Sequence, residues 1–80
     1  MTTNTYHLRS EATINDTACV CWVSFTTLED GRVRIERSVE YTHRGARRTD
    51  ISSRHTTNVA DARCYWSTMR REFGAVPATR

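Results

Sequence analysis

Residues 18–27 form a stretch in which apolar and β-branched side chains occupy both sets of alternating positions. This pattern is typical of a central strand, whose two faces are both covered. Residues 5–14 instead alternate apolar with polar side chains, which predicts a strand with one buried face. The Asn-Asp pair between the two runs has turn chemistry. The sequence therefore predicts an antiparallel hairpin with Ile14 opposite Thr17.

A second turn gives an independent estimate of the register. The Leu-Glu-Asp-Gly segment at 28–31 predicts a three-residue hairpin loop with a bulge, which places Phe25 opposite Ile35. Both turns select the same inward face of the central strand, namely Cys19, Cys21, Val23 and Phe25. A slip of one residue in either hairpin would turn Glu11 or Glu36 toward the core, so the agreement favours this register.

Two further elements follow. Residues 43–57 are polar and rich in Arg, and two interpretations stay open: a mobile basic loop, or a short edge strand. In the strand interpretation the inward side chains are Thr49, Ile51, Ser53 and His55. Asn58 predicts a helix N-cap, and Gly74 with Pro77 predicts the end of that helix. Its apolar stripe, spaced for one helix face, is Val59, Ala62, Trp66, Met69 and Phe73.

The predicted fold class is α+β: an antiparallel three- or four-stranded β-meander with one C-terminal α-helix packed on one face, in a single domain over residues 1–80. A chain of 80 residues buries only about 60 to 65% of its unfolded surface. The predicted core is Val23, Phe25, Ile35, Val39, Trp66, Met69 and Phe73. No run of about 18 apolar residues is present, and the N-terminal residues lack the features of a signal peptide. We therefore expect a cytoplasmic protein.

The basic charge is concentrated in the second part of the chain. Residues 1–31 hold one Arg against four carboxylates, whereas residues 32–80 hold 11 Arg against five. All 12 basic residues are Arg. This composition fits an interface that uses bidentate, weakly hydrated cations, and it equally fits a GC-rich genome.

No catalytic or cofactor motif is recognisable. Cys19 and Cys21 share a strand face, and together with Cys64 and three His they raise the question of zinc. Cys64, however, lies opposite the apolar stripe of the predicted helix, so the cysteines are better interpreted as small hydrophobic residues. The glycines are isolated, and neither a nucleophilic triad nor a pair of carboxylates stands out. The sequence predicts a non-enzyme without metal or cofactor.

The predicted outward face of the sheet carries Trp22, with Arg9 opposite it on the first strand. A large aromatic on a polar face is typical of an interface anchor, although Trp22 alternatively covers the aliphatic stems of its neighbours. The predicted partner-binding residues are Trp22, Arg9, Arg34, Arg44, Arg47, Arg48 and Arg54. The Arg residues within 44–54 also suit contacts with phosphates, which keeps a small Arg-rich nucleic-acid-binding regulator as the alternative function.

In size, predicted architecture and lack of catalytic residues, the chain resembles the small anti-CRISPR proteins that phages and mobile elements encode. The resemblance rests on type and covers the whole chain without a sequence motif. It implies a non-enzymatic inhibitor that occupies a surface of a CRISPR effector complex and blocks target-DNA binding or nuclease recruitment. The implied partner is a Cas subunit, and the Arg side chains would contact acidic patches of that subunit or the guide RNA. A structural or assembly protein of a phage or plasmid ranks behind both functions.

Overall fold

Four long strands follow one another along the chain, and each pairs with its sequence neighbour. The computed structural model describes residues 4–80. Its elements are β1 (Thr5–Ile14), β2 (Thr17–Thr27), β3 (Val33–His43), β4 (Ala46–Thr57), the helix α1 (Val59–Phe73) and a short β5 (Val76–Ala78). β5 returns to pair with β1, which gives an antiparallel sheet in the order β4-β3-β2-β1-β5. The α+β class is confirmed, and the sheet has one strand more than the upper expectation.

The registers of the first two hairpins are as predicted. Ile14 lies opposite Thr17, and Phe25 lies opposite Ile35. The two residues of the Asn-Asp turn have φ angles of 49° and 62°, the left-handed conformation that a tight hairpin turn requires. Gly31 also has a positive φ, 83°, and donates its N–H to the carbonyl of Leu28. Turn chemistry and side-chain alternation therefore specify the same face of β2.

β4 is a regular edge strand of 12 residues, so the mobile-loop interpretation is wrong. A β-bulge interrupts the pairing of β4 with β3. Ser53 pairs with Arg37 and Ile51 pairs with Ser38, so Ser52 is left without a partner residue on β3. An extra residue turns every side chain on one side of the bulge to the opposite face. Ile51 and Thr49 therefore point away from the helix, which corrects the prediction that they point inward.

The helix begins and ends where its caps predict. The side chain of Asn58 accepts a hydrogen bond of 2.8 Å from the backbone N–H of Asp61. Gly74 ends the helix with a φ of 64°, and its N–H bonds to the carbonyl of Met69. Arg70 and Arg71 lie in the last turn, where cations suit the helix dipole.

No helix in residues 4–80 is long and apolar enough to cross a membrane. The N-terminal residues used to argue against a signal peptide lie mostly outside this described range.

The core lies between α1 and one end of the sheet. Its buried members are Leu8, Val23, Phe25, Val33, Ile35, Ala62, Met69 and Ala75. Trp66 is half-buried and packs on Phe25, with ring centroids 5.1 Å apart. Val39 is also only half-buried, because it lies further along β3 than the helix reaches.

Phe73 is the one predicted core residue that is exposed, with 59% of its surface accessible. It is the last residue of α1, and the chain reverses directly after it at Gly74. This reversal places Ala75 against the core instead, with 3% of its surface accessible. The prediction that Phe73 is a core residue is therefore wrong.

Candidate partner-binding surface

The helix covers only one end of its face of the sheet. α1 connects β4, at one edge of the sheet, to β5, at the other edge, so it crosses the strands. A helix is only about 10 to 12 Å wide, whereas the 11 residues of β2 span about 36 Å. The aromatic contacts of the helix, from Tyr65 and Trp66, fall on Phe25 near the end of β2. The rest of this face is left without a helix above it. We call it the open half-face; it consists of Ile14, Cys19, Cys21, Arg37, Val39, Tyr41, Arg48 and Asp50.

A shallow groove of about 320 Å³ runs across the open half-face. Its apolar lining comes from Ile14, Cys19 and Val39, which belong to three adjacent strands. Ile14 remains 47% exposed. Tyr41 donates a hydrogen bond of 2.8 Å to the carboxylate of Asp50, which holds the ring in place. That hydrogen bond, with a smaller contribution from burial, raises the pKa of Tyr41, so the phenol remains protonated at neutral pH.

Two guanidinium groups border the apolar part of this surface. Arg37 lies on β3 beside Val23, and Arg48 lies on β4 beside Tyr41. Neither forms an ion pair with another residue in the range 4–80. The nearby carboxylate of Asp50 accepts the hydrogen bond from Tyr41. The open half-face therefore combines apolar side chains, a Tyr ring hydrogen-bonded to the carboxylate of Asp50, and two cations without an ion-pair partner in the described residues. Aromatic residues and Arg are enriched in protein interfaces.

Trp22 lies on the other face of the sheet, opposite Arg9 and Ser38, as the register predicted. It is only 7% exposed, which corrects the expectation of an accessible anchor. The guanidinium of Arg80 lies 5.2 Å from the centroid of the Trp22 ring, and the ring of His7 packs edge-on at 6.0 Å. This cover was not predicted from the sequence because β5, which returns the chain to the sheet, was not predicted.

Three of the predicted partner-binding arginines on this outer face are engaged with carboxylates. The pairs are Arg9–Glu11 at 3.1 Å, Arg47–Glu40 at 3.4 Å and Arg54–Glu36 at 2.6 Å. Exposed pairs of this kind contribute little to stability. They do, however, occupy the guanidinium groups, so a ligand has to compete with a carboxylate for each of them.

The other predicted arginines are separated from one another. Arg34 lies on the outer face, exposed, opposite Thr26 and Thr56. Arg44 is in the turn between β3 and β4 with a φ of 52°. Arg48 is on the open half-face, because the bulge reverses the phase of β4. The seven predicted residues therefore do not form one site.

The open half-face and Arg80 were not among the predicted site residues. A signal for the first was present: the predicted strands are longer than one helix is wide, so a single helix leaves part of the sheet uncovered. The sequence held no comparable signal for the position of Arg80, since β5 has only three residues and contains Pro77.

The cysteines are all free, with Cys19 buried and Cys64 exposed. In residues 4–80 no three potential metal ligands cluster together.

His7 makes the outer face sensitive to pH. Its Nδ1 lies 2.8 Å from the Ser24 hydroxyl. Burial, and to a lesser degree the charge of Arg80, lowers the pKa of His7 below its usual value of 6.5. The folded protein therefore binds this proton less readily than the unfolded chain does.

We expect the free energy of unfolding to fall as the pH drops below about 6.5, because the unfolded state then takes up the proton first. Thermal melts at pH 7.5 and 5.5 should show this loss in the wild type and a smaller loss in His7→Gln. An identical pH dependence in both proteins would contradict the assignment to His7.

Comparison with protein-family models, curated proteins and solved structures found no match for this chain.

Proposed function

We propose that this chain is a non-enzymatic binding module, and that its partner is a protein that docks on the open half-face. The observation that carries the proposal is the apolar groove bordered by the unpaired side chains of Arg37 and Arg48. Exposed apolar surface next to free guanidinium groups favours a partner that supplies apolar side chains together with carboxylates. An acidic protein surface has both.

A protein partner suits this geometry better than a small molecule does. Binding sites for small molecules are concave and enclose most of the ligand surface. Here the groove is shallow and open to solvent, and its lining side chains come from adjacent strands. A rigid sheet surface with a fixed Tyr and flanking Arg side chains resembles the centre of a protein interface, where aromatic residues and Arg are enriched.

On the resemblance in size and type described above, we propose an inhibitor of the phage anti-CRISPR kind, whose partner is a Cas subunit of a CRISPR effector complex in the bacterial cytoplasm. Arg37 and Arg48 would then contact acidic patches of that subunit. The mechanism is occupation of a surface, which blocks target-DNA binding or nuclease recruitment and needs no catalytic residue.

The alternative, a nucleic-acid-binding regulator, has its own supporting observation. Arg34 and Arg44 have no carboxylate partner within residues 4–80, so both are available to phosphates. Against this, Arg47 and Arg54 are paired with carboxylates, and Trp22 is covered and does not offer a ring for base stacking. We therefore rank this function second.

The deciding experiment titrates purified CRISPR effector complexes with the wild-type protein and measures their binding of target DNA. We expect inhibition that saturates at a stoichiometric ratio. Mobility shifts on bare DNA and RNA at physiological salt should show no tight complex, and inhibition should weaken only gently as salt rises. Tight binding of bare nucleic acid, with the steep salt dependence of phosphate contacts, would favour the regulator instead.

A further inference from the structure

The guanidinium of Arg80 is held by three groups of the outer face. Its carbon lies 5.2 Å from the centroid of the Trp22 ring. Its nitrogens donate to the Ser38 hydroxyl at 3.2 Å and to the Glu40 carboxylate at 3.1 Å. An aromatic face, a neutral acceptor and a carboxylate are the kinds of group that recognise guanidinium. We call Trp22, Ser38 and Glu40 the guanidinium cluster.

The cluster and its occupant differ in how firmly the fold holds them. Trp22 is on β2, while Ser38 and Glu40 are on β3, so all three lie on central strands of the sheet. Trp22 and Ser38 are 7% and 3% exposed. Arg80, by contrast, lies two residues beyond β5, which has only three residues. The recognising groups are thus rigid, and the guanidinium arrives on a weakly attached segment.

We propose that the guanidinium cluster is a binding site for an arginine side chain of a partner protein, and that Arg80 occupies it until the partner displaces it. The site lies on the face of the sheet opposite the open half-face, so it stands independently of the function proposed above. The partner segment is recognised by one guanidinium inserted over Trp22, with Glu40 as its counter-ion.

Three features make the exchange feasible. β5 is an edge strand of only three residues, so few backbone hydrogen bonds to β1 attach the segment. The Arg80 side chain is 30% exposed, so its ion pair with Glu40 is partly screened by water. Partner and occupant offer the same chemical group, so an incoming arginine replaces each contact that Arg80 gives up.

The indole N–H of Trp22 gives a further indication that the occupied site is incomplete. This group is buried and has no acceptor among the described residues. Buried N–H groups nearly always have one. A peptide brings backbone carbonyl oxygens on both sides of each arginine, so an arginine-containing segment supplies acceptors as well as a guanidinium. Arg80 leaves this N–H unsatisfied.

The test uses the Arg80→Ala variant and N-acetyl-arginine amide as the probe, with the indole N–H resonance of Trp22 followed by NMR. The resonance is distinguished from that of Trp66 with a Trp66→Phe variant. In Arg80→Ala the resonance should shift saturably. In the wild type the apparent affinity should be at least about tenfold weaker, because the tethered Arg80 competes at high effective concentration. Adding Glu40→Gln to Arg80→Ala should weaken binding by a further factor of about ten.

N-acetyl-citrulline amide, which has the same shape without the charge, is the matched control. Backbone amide spectra establish that each variant is folded, and Arg80→Gln serves as a second variant that vacates the site. Absence of a saturable shift in both Arg80 variants would overturn the proposal. So would equal binding of the citrulline probe, or binding unaffected by Glu40→Gln.

Discussion

Replacing Phe25 with Ala should lower the free energy of unfolding by about 3 to 5 kcal/mol. Phe25 is 6% exposed and contacts both Tyr65 and Trp66, so truncation removes the side chain that joins the sheet to the helix. Domains of this size are stable by only about 5 to 15 kcal/mol, so the loss is a large share of the total. Equilibrium denaturation by urea, followed by circular dichroism, measures it.

Phe73→Ala is the matched control, because it deletes the same atoms from a residue that is 59% exposed. Its expected cost is below about 1 kcal/mol, as for other surface substitutions. The sequence pattern placed Phe73 in the predicted core, and a core position would give Phe73→Ala a cost like that of Phe25→Ala. Equal losses for the two variants would show that the helix packs on the sheet in a different way from the one described.

The first three strands were predictable because two independent signals agreed. Alternation of apolar residues specifies which face of β2 is buried, and the turn at each end specifies the register. Cys19 opposite Tyr41 and Phe25 opposite Ile35 follow from the turn at 28–31, and the alternation of apolar residues agrees with both pairs. The chance that two turns agree on a wrong face is small, since a slip of one residue exposes an entire apolar set.

The orientation of the side chains of β4 could not be predicted in the same way. Its only large apolar residue is Ile51, so no second apolar position reveals a change of phase within it. The bulge falls in the Ser-Ser pair at 52–53, and small polar residues suit either face. The sequence therefore predicts that β4 is a strand but not which face each of its side chains occupies. For this reason Arg48 lies on the opposite face from the one predicted.

The candidate sites depended on the elements that were hardest to predict. Trp22 was correctly assigned to the face away from the helix, yet a three-residue strand and one arginine determine whether it is accessible. Val39 and Tyr41 were correctly assigned to the helix side. Their partial exposure follows from where α1 crosses the sheet, which neither residue determines. Surface accessibility is therefore a tertiary property that local patterns do not encode.

The two faces of the sheet now have different expected roles. The open half-face is apolar at its centre, and its cations Arg37 and Arg48 are free, so it suits a partner that buries carboxylates against it. On the outer face the acidic residues Glu36 and Glu40 are already paired with arginines, and the Trp22 ring is capped by Arg80. Matched substitutions on the two faces should therefore differ in their effect on partner binding.

Ile14→Asp should weaken binding of the partner by a factor of about 30 or more, which corresponds to about 2 kcal/mol. Ile14 lines the groove on the open half-face and is 47% exposed. In the free protein the new carboxylate therefore remains hydrated and the fold is maintained. In the complex the same carboxylate would be buried beside the acidic partner, at a cost in both desolvation and repulsion.

Ile51→Asp is the control that makes this result specific, because Ile51 is 56% exposed but faces the other side of the sheet. Both variants lose one isoleucine and gain one negative charge, so any general effect of charge on association is the same in the two proteins. Inhibition of effector binding to DNA should be lost with Ile14→Asp and retained with Ile51→Asp. Arg48→Glu should reproduce the loss, since it reverses a free cation beside the same groove. If Ile51→Asp abolished inhibition while Ile14→Asp preserved it, the partner would dock on the outer face, and the guanidinium cluster would be the part of the protein that binds it.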